Sequence, residues 1–166
     1  LKLLLCPWTE WPHLPLPFEP GAMPEIPPRT IKLRLADLSS LERLELDFRG
    51  THTEVQAINL GALKTLKLTN VESYPDLGFL AELATLRHLE ISGTDCATLK
   101  PDQLTNLTEL EELSLSSISD GEELRFPDAK KLHKLSLYRV GIPDLAFLAN
   151  LTSLEELVIY GCPSVS

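Results

Sequence analysis

The chain has 166 residues, one domain's worth, and 43% of them are apolar, an ordinary share for a folded soluble protein. Its 24 Asp and Glu against 15 Lys and Arg give a formal charge of −9, which argues against nucleic acid or an anionic membrane surface as the main partner, since both demand basic patches. No apolar run approaches the roughly 18 residues of a membrane span.

Leu1 to Cys6 lacks the basic start, the length and the small-residue cleavage site of a signal peptide. The first residue is Leu rather than Met, so the chain reads as an excised or processed piece. Residues 1–30 differ in kind from the rest. Pro7, Pro12, Pro15, Pro17, Pro20, Pro24, Pro27 and Pro28 exclude long helices and interior strands and make this an irregular N-terminal segment. Trp8, Trp11 and Phe18 are expected to pack against the next unit. Ile31-Lys32-Leu33-Arg34-Leu35 alternates apolar and charged residues, as a half-exposed strand does.

From Leu41 onward one arrangement, L-x-x-L-x-L, keeps returning. It is read at Leu41/Leu44/Leu46, Leu63/Leu66/Leu68, Leu86/Leu89/Ile91, Leu110/Leu113/Leu115, Leu132/Leu135/Leu137 and Leu154/Leu157/Ile159. The steps between first leucines are 22, 23, 24, 22 and 22 residues. Such a period marks a leucine-rich-repeat solenoid, in which one unit cannot bury its apolar face alone and stacked units make a continuous core. The expected fold is therefore an α/β right-handed solenoid over residues 31–166. A curved parallel sheet lies on its concave side, with short helices, 3₁₀ turns and loops on the convex side. Ile31 to Leu44 spans only 13 positions, too few for a coil. Either a shortened, irregular coil begins there or residues are missing between Leu35 and Ala36.

Between strands, apolar residues recur every three positions, as in Leu77/Leu80/Leu83/Leu86 and Ile142/Leu145/Leu148/Leu151/Leu154, a rhythm that suits 3₁₀ or α turns. Pro75-Asp76, Pro101-Asp102, Pro127-Asp128 and Pro143-Asp144 each place a good N-cap after a bend and are expected to start such turns. Segments 75–81 and 143–149 are near copies, 68 positions apart. No capping helix follows the last strand, so the natural protein is expected to continue or to have its last coil covered by a partner.

In this repeat the third, fifth and seventh positions point outward. They form three columns. The third-position column is Arg43, Thr65, His88, Glu112, Lys134, Glu156. The fifth is Glu45, Lys67, Glu90, Ser114, Ser136, Val158, and the seventh is Asp47, Thr69, Ser92, Ser116, Tyr138, Tyr160. The hydroxyls of the middle coils offer a flat approach. Tyr138 above Tyr160, flanked by Val158, Lys134 and Arg139, offers residue types enriched in binding hot spots, although cross-strand aromatics also stabilise sheets. The candidate partner-binding residues are Lys67, His88, Glu90, Lys134, Ser136, Tyr138, Arg139, Val158 and Tyr160.

No catalytic constellation stands out. His13, His52, His88 and His133 are scattered and no Cys spacing suits zinc. His88 is expected on the exposed strand face and His133 near its edge. Glu45, Asp47 and Glu90 are expected to share one face as ordinary solvated carboxylates. Cys6, Cys96 and Cys162 cannot all pair and read as reduced, mostly buried thiols of an intracellular protein. Two sequons, Asn106-Leu107-Thr108 and Asn150-Leu151-Thr152, pull the other way, toward glycosylation. No enzyme activity, metal or cofactor is expected.

Asn is absent three positions after the sixth, where Arg49, Val71, Thr94, Ile118, Val140 and Cys162 stand. The stretch from Leu151 to Ser164, with Ile159-Tyr160-Gly161-Cys162-Pro163, resembles the repeats of plant nucleotide-binding leucine-rich-repeat immune receptors. Phe18-Glu19-Pro20-Gly21-Ala22-Met23-Pro24 resembles a segment that precedes a strand in cereal members. The convex segments also resemble the bacterial internalin type and that of a phosphatase regulatory subunit. There is no G-x-x-x-x-G-K-[ST] loop, so a nucleotide-binding part would lie outside this piece. The resemblance implies a cytoplasmic domain whose concave face binds a pathogen effector or the receptor's own other domains. A free-standing adaptor, regulatory subunit or surface adhesin, or the substrate-recognition part of a ubiquitin ligase, stay open as alternatives.

Overall fold

The computed structural model describes residues 2–4, 30–48, 52–57, 59–71, 77–97, 103–118, 129–142 and 145–162. The strands among them are β1 (Lys2–Leu4), β2 (Thr30–Leu35), β3 (Arg43–Asp47), β4 (His52–Ala57), β5 (Thr65–Val71), β6 (His88–Ala97), β7 (Glu112–Ile118), β8 (Lys134–Val140) and β9 (Glu156–Tyr160). Seven form one sheet in the order β1-β3-β5-β6-β7-β8-β9, and β2 and β4 form a second. Every pairing is parallel. The protein is a parallel β-solenoid.

The register follows the leucines. Leu44, Leu66, Leu89, Leu113, Leu135 and Leu157 are successive cross-strand partners, and so are Leu46, Leu68, Ile91, Leu115, Leu137 and Ile159. Leu44, Leu66, Leu89, Leu113 and Leu135 are at most 2% exposed, whereas Leu157 on the outermost strand is 41% exposed. The contrast shows what stacking contributes. A leucine gains the full ~1.5–3 kcal/mol of burial only when a coil covers it on each side.

Each strand of the large sheet from β5 onward starts in the same way. The carbonyl of Glu42 accepts hydrogen bonds from the amides of both Lys64 and Thr65, that of Lys64 from Arg87 and His88, that of Arg87 from Glu111 and Glu112, and so on to His133. One oxygen satisfies two donors of the next coil, so both amides are paired where the chain turns into the sheet.

On the opposite side of the coil the three-residue rhythm becomes 3₁₀ structure. Gly78–Glu82 and Ala146–Asn150 are 3₁₀ helices, again 68 positions apart. The amides of Leu80, Leu83 and Leu86 bond to the carbonyls three residues back, and Leu148, Leu151 and Leu154 repeat this. Three residues per turn put every third side chain on one line, and in the first of these runs that line is buried from Leu77 to Leu86. Leu77 and Leu145 hold the N-cap position with no side-chain hydrogen bond. The Pro-Asp pairs lie outside the described residues, as do Trp8, Trp11 and Phe18.

The short step from Ile31 to Leu44 joins strands of two different sheets. β2 is not on the large sheet. It pairs with β4, Leu33 opposite Val55, and 33 to 55 is again 22 positions. β4 in turn touches the 3₁₀ helix Gly78–Glu82, which places β2 and β4 on the far side of their coils. Thirteen positions are thus the passage from one side of a coil to the other. The strand before β3 on the large sheet is β1, with Leu3 opposite Leu46.

A kink ends three of the strands. Asn70, Ser117 and Arg139 have φ near +55° (55, 56 and 53), and Gly161 follows at 64. A left-handed residue breaks the in–out alternation, so the next side chain also turns inward. Val71, Ile118 and Val140 are accordingly at most 1% exposed. At three of the six positions where Asn was sought, Val71, Ile118 and Val140, a core aliphatic stands instead.

Candidate functional site

The three outward columns exist in the register expected for them. Arg43, Thr65, His88, Glu112, Lys134 and Glu156 are successive partners, as are Glu45, Lys67, Glu90, Ser114, Ser136 and Val158. The seventh-position column runs Ser92, Ser116, Tyr138, Tyr160, and Asp47 faces Thr69. Between Thr69 and Ser92 the register shifts, so that column is interrupted.

The candidate residues separate into two groups. Lys67, His88, Glu90, Lys134 and Ser136 line an open trough of about 390 Å³ on the outward face of β3 and β5 to β8. Tyr138, Arg139, Val158 and Tyr160 stand apart from it, at the corner where β8 meets β9. Arg43, Glu45, Thr65, Glu112 and Ser114 also line the trough and were left out of the sequence list. Their membership of the same two columns was the available signal.

Charge in the trough is largely matched within the fold. Lys67 Nζ donates to Glu90 Oε1 at 2.7 Å, and Lys134 Nζ lies 2.9 Å from Glu156 Oε2. The Glu156 carboxylate, by hydrogen bond first and charge second, holds the Lys134 ammonium above its ordinary range. His88 Nε2 and His133 Nε2 flank Glu112 Oε1 at 3.8 and 4.0 Å, and the other ring nitrogen of His88 is buried without a hydrogen-bond partner. Similar cross-coil pairs, Glu42 with Lys64, Arg87 with Glu111 and Glu109 with Lys131, flank the strand beginnings. Such exposed pairs are each worth little in stability. Their effect here is to leave the trough with few charges of its own to offer.

Two outward residues are not solvated as expected. Asp47 and Ser136 are each only 6% exposed. Asp47 accepts a hydrogen bond from the Asn70 amide at 2.7 Å, so it is part of the structure rather than an ordinary solvated carboxylate. Ser136 lies at the base of the trough. Cys162 is partly buried, and its thiol sits 3.7 Å from the Leu137 carbonyl. Both sequon asparagines are exposed, and Asn106 donates to the Ala81 carbonyl of the preceding coil.

The corner differs from the trough. Tyr138 and Tyr160 are direct cross-strand partners, 38% and 67% exposed. Val158 lies beside them opposite Ser136. Arg139 is exposed, and it has no hydrogen bond or ion pair among the described residues. Among the described residues no group of three or more His, Cys, Asp or Glu side chains could hold a metal ion, and no helix is long and apolar enough to cross a membrane. No known protein family, curated protein or solved structure matches this chain.

Proposed function

We propose that this chain is a non-catalytic recognition module of leucine-rich-repeat type that binds another protein on the outward, concave face of its large sheet. The resemblance of residues 151–164 to plant nucleotide-binding immune receptors makes an effector-sensing and autoinhibitory domain of a cytoplasmic receptor the specific form of this reading. Its partner would be a pathogen protein or the receptor's own other domains. The observation that carries the reading is the exposed Tyr138–Tyr160 pair. Two tyrosines side by side, with Val158 and Arg139 around them, present a large contact area at low entropic cost. The matched charges of the trough supply complementarity around that anchor rather than affinity of their own.

The test is a double replacement, Tyr138→Ala with Tyr160→Ala. Both side chains project from the sheet, so the urea midpoint should stay close to that of the native chain. Proteins from the source cell that are retained by the native chain should be lost by the double variant. Unchanged retention at an unchanged midpoint would remove the corner, and this reading with it.

A further inference from the structure

We infer that the corner of Tyr138, Arg139 and Tyr160 receives a peptide segment of a partner protein that carries a carboxylate beside an apolar residue. This rests on the recognition reading above and adds the chemistry of the partner. The cations of the outward face are otherwise engaged. Lys67 is on Glu90, Lys134 is on Glu156, and Arg43 has an interaction of its own. Arg139 is exposed and has none among the described residues.

The backbone reinforces this. Arg139 holds φ 53, a conformation that Gly adopts without cost and that Gly161 adopts one coil later at φ 64. A long cation kept at a strained position, with no partner among the described residues, points to a use outside the fold. Gly161 also leaves room for the arginine stem. A β-carbon there would stand 3.4 Å from Arg139 Cγ, so the stem of Arg139 reaches the last coil at Gly161, the residue after Tyr160. A guanidinium accepts a carboxylate through two parallel hydrogen bonds, and the neighbouring tyrosine rings suit a proline or aliphatic side chain. The chain's net charge of −9 repels a uniformly acidic partner at long range. The segment therefore carries its carboxylate singly, within an otherwise neutral or basic stretch.

Two pools of short fluorescein-labelled peptides test this by fluorescence polarisation against the whole chain. One pool carries a single Asp or Glu flanked by Pro or Leu, and the other is identical except for Asn or Gln. The acidic pool should bind about tenfold more tightly, the size of one charge-assisted hydrogen-bonded contact. Arg139→Gln should abolish the difference. So should Arg139→Gly, which keeps the left-handed turn and so guards against a folding artefact. Equal binding of the two pools, or a preference that survives both variants, overturns the inference. If the pools bind equally but Tyr138→Ala and Tyr160→Ala weaken both, the carboxylate partner falls while recognition at this face stands. If the tyrosine variants also change nothing, both fall.

Discussion

The side-chain amide of Asn70 donates to a carboxylate oxygen of Asp47 at 2.7 Å, tying together the ends of β3 and β5. Asn70 does this from a left-handed backbone, φ 55, and Asp47 is almost wholly buried. The same residue thus turns the strand and supplies a hydrogen bond to a buried carboxyl group. Asn70→Gly keeps the turn and loses the hydrogen bond, and should cost about 1–3 kcal/mol. Asn70→Ala loses both and should cost about 1 kcal/mol more. Urea unfolding of the two variants separates the contributions. Equal losses would mean that the turn carries no strain.

Ser117 occupies the equivalent turn at φ 56, and among the described residues its side chain makes no hydrogen bond to a buried group. Ser117→Gly should therefore stabilise the chain, by about 0.5 kcal/mol once the freer unfolded chain is subtracted from the relieved strain. The sign opposite to Asn70→Gly is the informative result, and the same urea series reads it.

Position in the stack should decide what a lost leucine costs. Leu135, fully buried between coils, and Leu157, 41% exposed on β9, occupy the same place in their repeats. Leu135→Ala should cost about 2–5 kcal/mol through lost burial and a residual cavity. Leu157→Ala should cost less than about 1.5 kcal/mol, since much of its surface already meets solvent. Comparable losses would show that β9 is covered in solution.

The cross-coil ion pairs give a titration signature. Glu42 and Glu109 are held below their ordinary 4.5, chiefly by hydrogen bonds from Lys64 and Lys131 and then by the charge of those lysines. A depressed folded value means that any stabilisation is present above 4.5 and is lost as pH falls through the lower, folded value. Carboxyl NMR titration should place both below an exposed glutamate, and Lys64→Met or Lys131→Met should return its partner to the ordinary range. Lys134 runs the other way. Its raised value, caused first by the Glu156 hydrogen bond, means stabilisation present below 10.5 and lost as pH rises through the folded value. Glu156→Gln should bring Lys134 back toward 10.5 and leave Glu42 and Glu109 where they were.

The large sheet was legible because its cause is periodic. Leu44 and Leu66 face each other because a parallel coil of fixed length returns its chain to the same side, and a count of residues is enough to find that. The second sheet obeyed the same count, Leu33 to Val55, but its two strands carry no L-x-x-L-x-L signature. The 13-residue step to Leu44 was therefore measured against the wrong side of the coil. Asp47 and Ser136 were placed outward by alternation, correctly in register, yet both are buried. Alternation specifies a direction and says nothing about what neighbouring coils lay over it.

The amino-acid order by itself determined the repeat length, the inward leucines and the identity of the residues in each outward column, because each follows from the spacing of side chains along one strand and one turn. Only the tertiary structure decided which of those outward residues are occupied. Whether Lys67 meets Glu90, whether Asn70 reaches Asp47 and whether Arg139 is left without a partner depend on side chains that lie a whole coil apart in sequence. Their separation in space is set by how the coils stack and where the strands kink.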